Sequence, residues 1–388
     1  MKNIPITKPF FNKEEIKAVE ETIVSGWLVQ GRKVKEFENL ICKFTLAKFA
    51  AATTSCTTAL HLALIACNVK AGDEVILPAL TFIASANSVE YIGAKPVFVD
   101  IDLKTFNIDP DKIEKKITKK TKAIMPVHLF GLSADMPRIM SIARKYNLKV
   151  IEDAACAVGA FYKGKHVGTF GDAGCFSFHP RKLITCGEGG MITANDKKLD
   201  GLIRSLRDHG AAIDDLSRHK QNISNLPDYK ILGYNYRLTD IQASIAVEQM
   251  KKLKFLLKDR IQKASYYYKF LKNIKFITTP FNHKDYVHGY QAYVCLVDNK
   301  NLKTLKEKHD YRDALMVHLI KNGISTRIGT HCVPNLTYYK KKYKLKDSDF
   351  PNALKAEYLS LALPLYYGLS KEDVRHIVKQ ISEFINKN

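Results

Sequence analysis

Short apolar runs alternate with longer amphipathic or turn-rich stretches between residues 73 and 193. Each run has the length and the apolar character of a buried strand. The runs are EVILP (74–78), PVFVD (96–100), AIMPVH (123–128), KVIED (149–153), CFSF (175–178) and MIT (191–193). Residues 57–68 and 136–146, which lie between them, have the apolar spacing of helices. The alternation predicts an α/β domain with a mostly parallel sheet, whose functional residues collect at the carboxyl ends of the strands.

The pattern changes after residue 235. Residues 237–257, RLTDIQASIAVEQMKKLKFLL, have helical periodicity without Gly or Pro and predict a connecting helix. Four shorter elements are predicted beyond it: a tyrosine-rich helix around residues 266–271, a strand at 292–297, a helix ending near Gly323, and a last helix that Ser370 caps with Asp373. We therefore expect a large domain with an N-terminal arm over residues 1–250 and a smaller C-terminal α+β domain over residues 251–388.

The composition narrows the class of protein. Hydrophobic residues make up 46% of the 388 positions, enough for a sizeable core. Lys and Arg number 61 against 39 Asp and Glu, and the net charge of +22 favours anionic ligands such as phosphorylated metabolites or nucleic acid. The lysine runs at 115–122 and 340–346 have no nucleic-acid-binding motif beside them and are interpreted as solvated surface, so no nucleic-acid partner is expected.

Cysteine spacing and hydropathy indicate the compartment. The eight cysteines form no C-x-x-C pair, so neither a zinc site nor a disulfide scaffold is expected. No apolar run approaches the roughly 18 residues of a membrane-spanning helix. Pro5, Lys8 and Pro9 interrupt the amino terminus before a signal-peptide core can form. These features predict a cytoplasmic protein with no membrane partner.

The stretch GDAGCFSFHPRKLITCGEGGM (171–191) carries the most informative chemistry. A buried strand delivers Ser177, a turn with Pro180 follows, and Lys182 precedes a glycine-rich return. An amine held in such a turn can face a cleft, and burial lowers the pKa of an amine, which makes it a nucleophile able to form a Schiff base with an aldehyde. Lys182 is therefore a candidate catalytic residue, with a plain surface charge as the alternative.

A carboxylate and an anion site accompany Lys182. Asp153 ends the strand KVIED at the same edge of the sheet, and residues 55–58 lead directly into a helix whose first amides can hold a phosphate. Pyridoxal phosphate needs a lysine for its aldehyde and a carboxylate for its ring nitrogen. Each residue also has a structural interpretation, with Ser55 and Asp153 as helix caps and Ser177 as a satisfied strand hydroxyl. Their order along one sheet favours a cofactor site.

Six motifs in order resemble the DegT/StrS-type sugar aminotransferases, which have the type I fold of pyridoxal phosphate enzymes. The motifs are SCTTALHLAL, LPALTFIASANSV, GAKPVFVDID, IEDAACAVGA, GTFGDAGCFSFHPRKLITCGEGGM and GYNYRLTDIQASI. The likeness runs from GWLVQG (26–31) to the final helix, and it is strong between residues 50 and 250. It implies an α/β fold with a large domain, built on a mostly parallel sheet between helices, and a smaller C-terminal α+β domain.

The resemblance implies pyridoxal 5'-phosphate as cofactor and assigns roles at matching positions. Lys182 binds the cofactor aldehyde as an imine and then moves the proton between the amine-bearing carbon and the cofactor. Asp153 pairs with the pyridine nitrogen, and Phe82 stacks on the ring or, alternatively, packs in the core. Three residues fall where the family binds the phosphate: Cys56, Thr57 and Ser177.

The segment GYNYR implies a second subunit. The Asn at the position of Asn235 reaches the phosphate bound by the neighbouring subunit, so the resemblance implies a homodimer with shared active sites. Arg237 faces the same cleft and grips the carboxylate of the amino donor or, alternatively, forms a surface ion pair. His209, His288 and His331 are candidates for the sugar or nucleotide pocket, with a structural role as the alternative.

Two positions depart from the commonest family pattern. Cys56 replaces the usual glycine of an S-G-T motif, so its contact with the phosphate is expected through the backbone N–H. Cys156 stands where Gln or His often contacts the cofactor, and a thiol is a weak donor. Lys182 is retained, whereas related enzymes that dehydrate sugars at C3 carry histidine there.

The expected function is a pyridoxal phosphate-dependent aminotransferase that converts a nucleotide-linked keto-deoxysugar to an amino sugar. By family likeness the acceptor is a 4-keto-6-deoxyhexose and the amino donor is L-glutamate. Two alternatives remain, of different classes: a sugar 3-dehydratase that uses the same cofactor, and a regulator that kept the fold. Only the charge of +22 suggests the regulator.

Overall fold

The computed structural model describes residues 3–211 and 228–387. Its α-helices are Lys13–Val24, Arg32–Thr45, Cys56–Ala66, Ile83–Glu90, Pro110–Ile113, Met136–Tyr146, Lys197–Arg207, Asp240–Leu271, Leu305–Lys321, Thr337–Tyr343, Pro351–Leu359 and Lys371–Lys387. Short 3-10 helices cover Glu114–Lys116, Leu129–Gly131, Val333–Asn335 and Asp347–Asp349.

The strands of the described residues are numbered in chain order. They are β1 (Phe49–Thr53), β2 (Glu74–Pro78), β3 (Leu80–Thr81), β4 (Lys95–Val99), β5 (Thr121–Ile124), β6 (Lys149–Asp153), β7 (Phe161–Tyr162), β8 (Lys165–His166), β9 (Ala173–Ser177), β10 (Gly190–Ala194), β11 (Ile277–Thr278), β12 (Tyr286–Val287), β13 (Tyr293–Val297), β14 (His331–Cys332) and β15 (Ser360–Leu363).

A seven-stranded sheet lies at the centre, in the order β1-β10-β9-β6-β5-β2-β4. The strands from β9 to β4 are parallel to one another, whereas β10 is antiparallel to both β9 and β1. All six strands predicted from the apolar runs belong to this sheet, within a few residues of their expected limits. The prediction of an α/β fold with a mostly parallel sheet is therefore confirmed.

The edge strand β1 was not predicted. Its sequence, FAAAT, is rich in alanine, which favours helices and is depleted in strands. Pairing with β10 and burial of both faces override this local preference: Ala51 packs in one core cluster, and Ala50 and Ala52 pack in another. The helix that follows β1 can thereby begin at the same edge of the sheet where β6 and β9 end.

One helix of 32 residues, Asp240–Leu271, replaces the connecting helix and the separate tyrosine-rich helix that the sequence predicted. Thr239 caps its amino end and accepts a hydrogen bond from the backbone of Gln242. At 1.5 Å per residue the helix is about 48 Å long. It passes through residue 250, so the predicted limits of the two domains, 1–250 and 251–388, stay a prediction.

The two ends of this helix pack in different cores. Val247 and Leu253 belong to the cluster beside the central sheet, whereas Tyr267 and Leu271 belong to a second cluster around β13 and β15. Ile4 is buried in the second cluster. Its N–H donates to the carbonyl of Gly323, and its carbonyl accepts from the N–H of Ser325. The amino-terminal arm thus spans both cores. None of the described helices is long and apolar enough to cross a membrane.

Candidate active site

Two parallel strands and a turn position the residues at the centre of the site. Asp153 is the last residue of β6, and Ser177 is the last residue of the neighbouring strand β9. The turn from β9 to β10 carries Lys182 and is closed by hydrogen bonds at Phe178, whose N–H donates to Gly189 O at 2.9 Å and whose carbonyl accepts from the Thr185 hydroxyl at 2.7 Å. The carboxyl ends of the strands therefore hold the amine and the carboxylate on one edge, as expected.

Lys182 lies among acidic groups. Its Nζ is 3.2 Å from Sγ of Cys156. Burial acts to lower the pKa of Lys182, but Cys156, Cys56 and Asp153 together outweigh burial and raise it above the ordinary lysine value. The prediction of a lowered pKa was therefore wrong, because it considered burial without these neighbours. Burial also raises the pKa of the Cys56 thiol far above its usual range, with Asp153 adding to the effect.

The carboxylate of Asp153 is held by two donors. Its Oδ1 accepts from the N–H of Ala155 at 3.1 Å, and its Oδ2 accepts from the hydroxyl of Ser85 at 2.7 Å. The Ser85 hydroxyl in turn lies 2.8 Å from Oγ1 of Thr81, and all three side chains are buried. The two donors fix the orientation of the carboxylate. Ser85 was not predicted from the sequence, although it lies three residues after Phe82, in the first turn of the helix Ile83–Glu90.

The helix Cys56–Ala66 begins at the same edge of the sheet, and its first two amides have no hydrogen-bond acceptor among the residues that the structure describes. Ser55 caps it: its Oγ accepts from the N–H of Thr58 at 3.2 Å. The helix itself supplies no partners for the amides of Cys56 and Thr57, which are its first two residues. These amides and the dipole of the helix suit a phosphate group.

Gly190 brings this helix start close to β9. It pairs with Ser177 across β9 and β10, and a Cβ at Gly190 would lie 2.2 Å from the carbonyl oxygen of Ser55. Only glycine allows such a close approach of two backbones. The hydroxyl of Ser177 and the amides of Cys56 and Thr57 therefore belong to one region of the site.

Three of the predicted residues are more exposed. The side chain of Phe82 is 65% exposed at the start of the helix Ile83–Glu90, so a face of its ring is available for stacking. Asn235 is exposed, and Arg237 donates from Nη1 to Oδ1 of Asp208 at 2.5 Å. Among the described residues, no hydrogen bond or ion pair joins Asn235 or Arg237 to Lys182.

The three predicted histidines have different surroundings. His331 lies on β14, where it pairs with Thr81 of β3, and its Nδ1 is 3.3 Å from Oε1 of Glu357. The ring of His288 stacks on Tyr290 with centroids 3.9 Å apart, and burial lowers the pKa of His288 to about 3. His209 is exposed, with a φ of 56°. Only His331 is linked, through Thr81 and Ser85, to Asp153.

A cavity also reaches the central residues. Ser177, Cys156 and Lys182 line it together with Gly289 and Gln291. The sequence analysis missed Gly289 and Gln291, because neither lies in a recognisable motif and both reach the site from a distant part of the chain.

The donors present fit pyridoxal phosphate. A buried amine, a carboxylate with a fixed orientation, a hydroxyl beside free helix amides and an accessible aromatic ring match the aldehyde, ring nitrogen, phosphate and ring face of that group. They come from four separate segments that the fold brings to one sheet edge. This combination of fold and site defines a type I pyridoxal phosphate-dependent aminotransferase.

The comparison with known families agrees with this class. The family model described as the DegT/DnrJ/EryC1/StrS aminotransferase family matches residues 9–382. The chain therefore belongs to this family, and it is a pyridoxal phosphate-dependent enzyme of the sugar aminotransferase type.

Its relatives are similar over almost their whole length. The spore coat polysaccharide biosynthesis protein SpsC of Bacillus subtilis is 39% identical over 384 residues, which are 98% of this chain and 97% of SpsC. The putative sugar aminotransferase Spr1654 of Streptococcus pneumoniae, solved in its PMP form, has a TM-score of 0.92 at 29% identity, covering 99% of this chain and 100% of its own. Helicobacter pylori PseC, an aminotransferase of pseudoaminic acid biosynthesis, has a TM-score of 0.90 at 28% identity over 100% of both chains.

Proposed function

We propose that this enzyme converts a nucleotide-linked keto-deoxysugar, a 4-keto-6-deoxyhexose, to an amino sugar with L-glutamate as the amino donor. The observation that carries the proposal is the meeting of the Lys182 amine and the Asp153 carboxylate beside the free amides of the helix Cys56–Ala66. The relatives SpsC and PseC, named for polysaccharide and pseudoaminic acid biosynthesis, support a sugar acceptor. The net charge of +22 suits a diphosphate-bearing acceptor and a dicarboxylate donor.

Different residues of the chain bind the cofactor, transfer the proton and bind the phosphate. When bound, the cofactor supplies an electron sink that stabilises a carbanion next to nitrogen. Lys182 holds the cofactor and, once displaced by the amino donor, moves the proton at the carbon that bears the amine. Asp153, oriented by Ser85 and Ala155, faces the ring nitrogen. The amides of Cys56 and Thr57, with the Ser177 hydroxyl, hold the phosphate.

The proposal includes a homodimer with shared active sites in the cytoplasm. Asn235 is exposed, and among the described residues no hydrogen bond joins it to its own Lys182, as expected of a residue that serves a neighbouring subunit. Arg237 is proposed to face the same cleft. Its guanidinium is bound to Asp208 in the single chain. The guanidinium would therefore have to bind the carboxylate of the amino donor and that of Asp208 at the same time.

A nucleotide-sugar 3-dehydratase is the nearest alternative. Such enzymes use the same cofactor but carry histidine in place of the lysine. The presence of Lys182, with its amine 3.2 Å from Cys156 and close to Asp153, favours transamination.

Trapping of the cofactor tests the role of Lys182. Purified protein is incubated with pyridoxal phosphate, reduced with borohydride and digested, and the adduct is located by mass spectrometry. We expect the added mass on Lys182, and neither imine absorbance nor adduct in Lys182→Ala. An adduct on another lysine, or an unchanged spectrum in the variant, would contradict the proposal.

A substrate screen tests the reaction. Nucleotide-linked 4-keto-6-deoxyhexoses are offered with L-glutamate, and 2-oxoglutarate formation and product mass are followed. Conversion of the keto group to an amine, at the expense of glutamate, is the expected result. Loss of water from the sugar without 2-oxoglutarate would identify the dehydratase instead.

A further inference from the structure

The buried side chains of Arg260 and Arg312 each donate hydrogen bonds from Nη1 to two backbone carbonyls. In Arg312 a carboxylate also neutralises the positive charge. Arg312 is 2% exposed, and its Nη1 donates to the carbonyls of Ser360 at 2.5 Å and Glu357 at 3.4 Å. Its Nε donates to Oδ1 of Asp313 at 2.8 Å. The carboxylate on the free edge of the guanidinium offsets the cost of burying the cation.

Arg260 has the same backbone contacts without the carboxylate. It is 6% exposed, and its Nη1 donates to the carbonyls of Tyr290 at 3.1 Å and Gln291 at 2.9 Å. In residues 3–211 and 228–387, no carboxylate oxygen lies within ion-pairing distance of this guanidinium. The adjacent Asp259 instead binds Lys263. Burial lowers the pKa of Arg260 to about 10, and Asp259 opposes this only in part.

Arg260 borders a pocket beside the active site. Arg260 lines this pocket with Lys8 of the amino-terminal arm, Gln249, Tyr367 and Lys182; we call it the Arg260 pocket. Lys182 also lines the cavity that contains Cys156 and Ser177, so both spaces border this residue.

The chemistry of the pocket selects a small anion. Among the described residues only Nη1 has hydrogen-bond acceptors, so Nε and Nη2 remain, and these two groups present the parallel N–H pair that matches both oxygens of a carboxylate. Lys8 and Lys182 add positive charge, whereas the nearby carboxylate of Glu15 is bound by Lys252 and Gln249. The pocket is small.

We propose that the Arg260 pocket binds a carboxylate group of the amino donor through the Nε and Nη2 edge of Arg260, next to Lys182. The inference rests on the proposed function, because it assigns the subsite of that reaction's dicarboxylate donor. It also differs from the role expected of Arg237, whose guanidinium already has Asp208 as its partner.

Binding of an inert dicarboxylate tests the proposal. The cofactor-loaded enzyme is titrated by calorimetry with glutarate, which has two carboxylates and no amine. Arg260→Lys keeps the charge and a donor for the backbone carbonyls but lacks the forked edge, and we expect it to weaken glutarate binding on the order of tenfold or more. Arg260→Gln, which also loses the charge, should weaken it further. Arg312→Lys, the matched control, should bind glutarate as the wild type does.

A second variant covers the case in which Arg260 is needed for folding. Lys8 is exposed, so Lys8→Glu leaves the core intact and places a competing carboxylate at the mouth of the pocket. We expect it to weaken glutarate binding on the order of tenfold. Borohydride trapping on Lys182 and the unfolding midpoint verify that each variant is folded and loaded.

Unchanged glutarate affinity in folded Arg260→Lys or in Lys8→Glu would overturn the proposal. Binding of inorganic phosphate that depends on Arg260, without binding of glutarate, would also overturn it and assign the pocket to a phosphate group. The measurement uses no sugar and no turnover. If no keto-sugar in the screen reacts, the glutarate measurement still tests the carboxylate site. If the carboxylate site proves wrong, the screen still tests the sugar acceptor.

Discussion

At the scale of single residues, the hydroxyl of Ser85 makes a testable contribution to cofactor binding. Ser85→Ala removes the donor to Oδ2 of Asp153 and leaves the buried Thr81 hydroxyl without its partner. Loss of a hydrogen bond to a charged group costs about 1.5–3 kcal/mol, so we expect the dissociation constant of pyridoxal phosphate, measured by fluorescence titration, to rise at least about tenfold. Ser85→Thr, which keeps a hydroxyl, should restore much of the affinity.

Ser88 provides the control for that experiment. It is buried in the same helix, but its hydroxyl donates only to the carbonyl of Ser85. Ser88→Ala should therefore lower stability slightly without weakening cofactor binding. Equal cofactor affinities in Ser85→Ala and Ser88→Ala would show that the contact with Asp153 has no role in holding the ring.

The buried side chain of His166 makes the free energy of unfolding depend on pH. Burial lowers its pKa from 6.5 to about 4, and its Nε2 accepts from the N–H of Gly159 at 3.0 Å. Because the unfolded chain binds the proton first as the pH falls through 6.5, this residue stabilises the fold above that pH and the stabilisation is lost between about pH 6.5 and 4. The loss amounts to about 3 kcal/mol.

Urea unfolding of the cofactor-free protein at pH 7, 6 and 5 measures this effect. His166→Gln keeps an acceptor and a donor but does not titrate, so its free energy of unfolding should fall less steeply below pH 6.5 than that of the wild type. Parallel pH dependences in the two proteins would show that another group takes up the proton.

The sequence predicts the reacting groups but not the residues that hold them in place. Lys182 and Asp153 were predicted because each ends a recognisable strand or turn motif. Ser85 and Asp153 are 68 positions apart, and only the packing of a helix onto the sheet edge brings them together. The pKa direction of Lys182 was wrong for the same reason, since Cys56 and Cys156 approach it from separate segments.

At the scale of elements, the close approach of β10 to the start of the helix Cys56–Ala66 predicts the effect of one methyl group. Gly190→Ala would place a Cβ 2.2 Å from Ser55 O and 2.5 Å from Oγ1 of Thr53, both in the segment that leads to the phosphate region. The helix start must move, so we expect stability to fall by about 1–3 kcal/mol and cofactor affinity to fall with it. Unfolding and fluorescence titrations measure both quantities.

Gly201 is the matched control for Gly190. It lies on the exposed face of the helix Lys197–Arg207, and a Cβ there would meet no atom within 4 Å. Gly201→Ala should raise stability by about 0.5–1 kcal/mol, because alanine favours helices, and should leave cofactor affinity unchanged. A similar destabilisation by both substitutions would mean that crowding at Ser55 is not the cause.

The long helix shows why an element was divided in the prediction. Apolar spacing is clear in the first part of Asp240–Leu271 and again near its end, but Arg260 and Lys263, each 6% exposed, occupy inward positions between them. Charged residues at these inward positions interrupt the apolar spacing, so the sequence predicts two helices instead of one. The backbone nevertheless stays helical, because Lys263 binds Asp259 and Arg260 binds the carbonyls of Tyr290 and Gln291.

At the scale of the whole molecule, complementation tests whether two chains share their active sites. Lys182→Ala removes the reacting amine from one site, and Asn235→Ala removes the exposed amide that is proposed to reach the phosphate held by the other subunit. Each homodimer should be inactive, because both of its sites lack one of the two groups. In a mixed dimer, one site receives Lys182 from one chain and Asn235 from the other, while the second site lacks both.

Subunit exchange between the two variants should therefore restore up to about one active site in four, since half of the dimers are mixed and each has one complete site. Activity is followed as glutamate-dependent formation of 2-oxoglutarate, and the mixed species is verified by mass with one chain tagged. If mixed dimers form and activity stays at the level of the separate variants, Asn235 acts within its own chain.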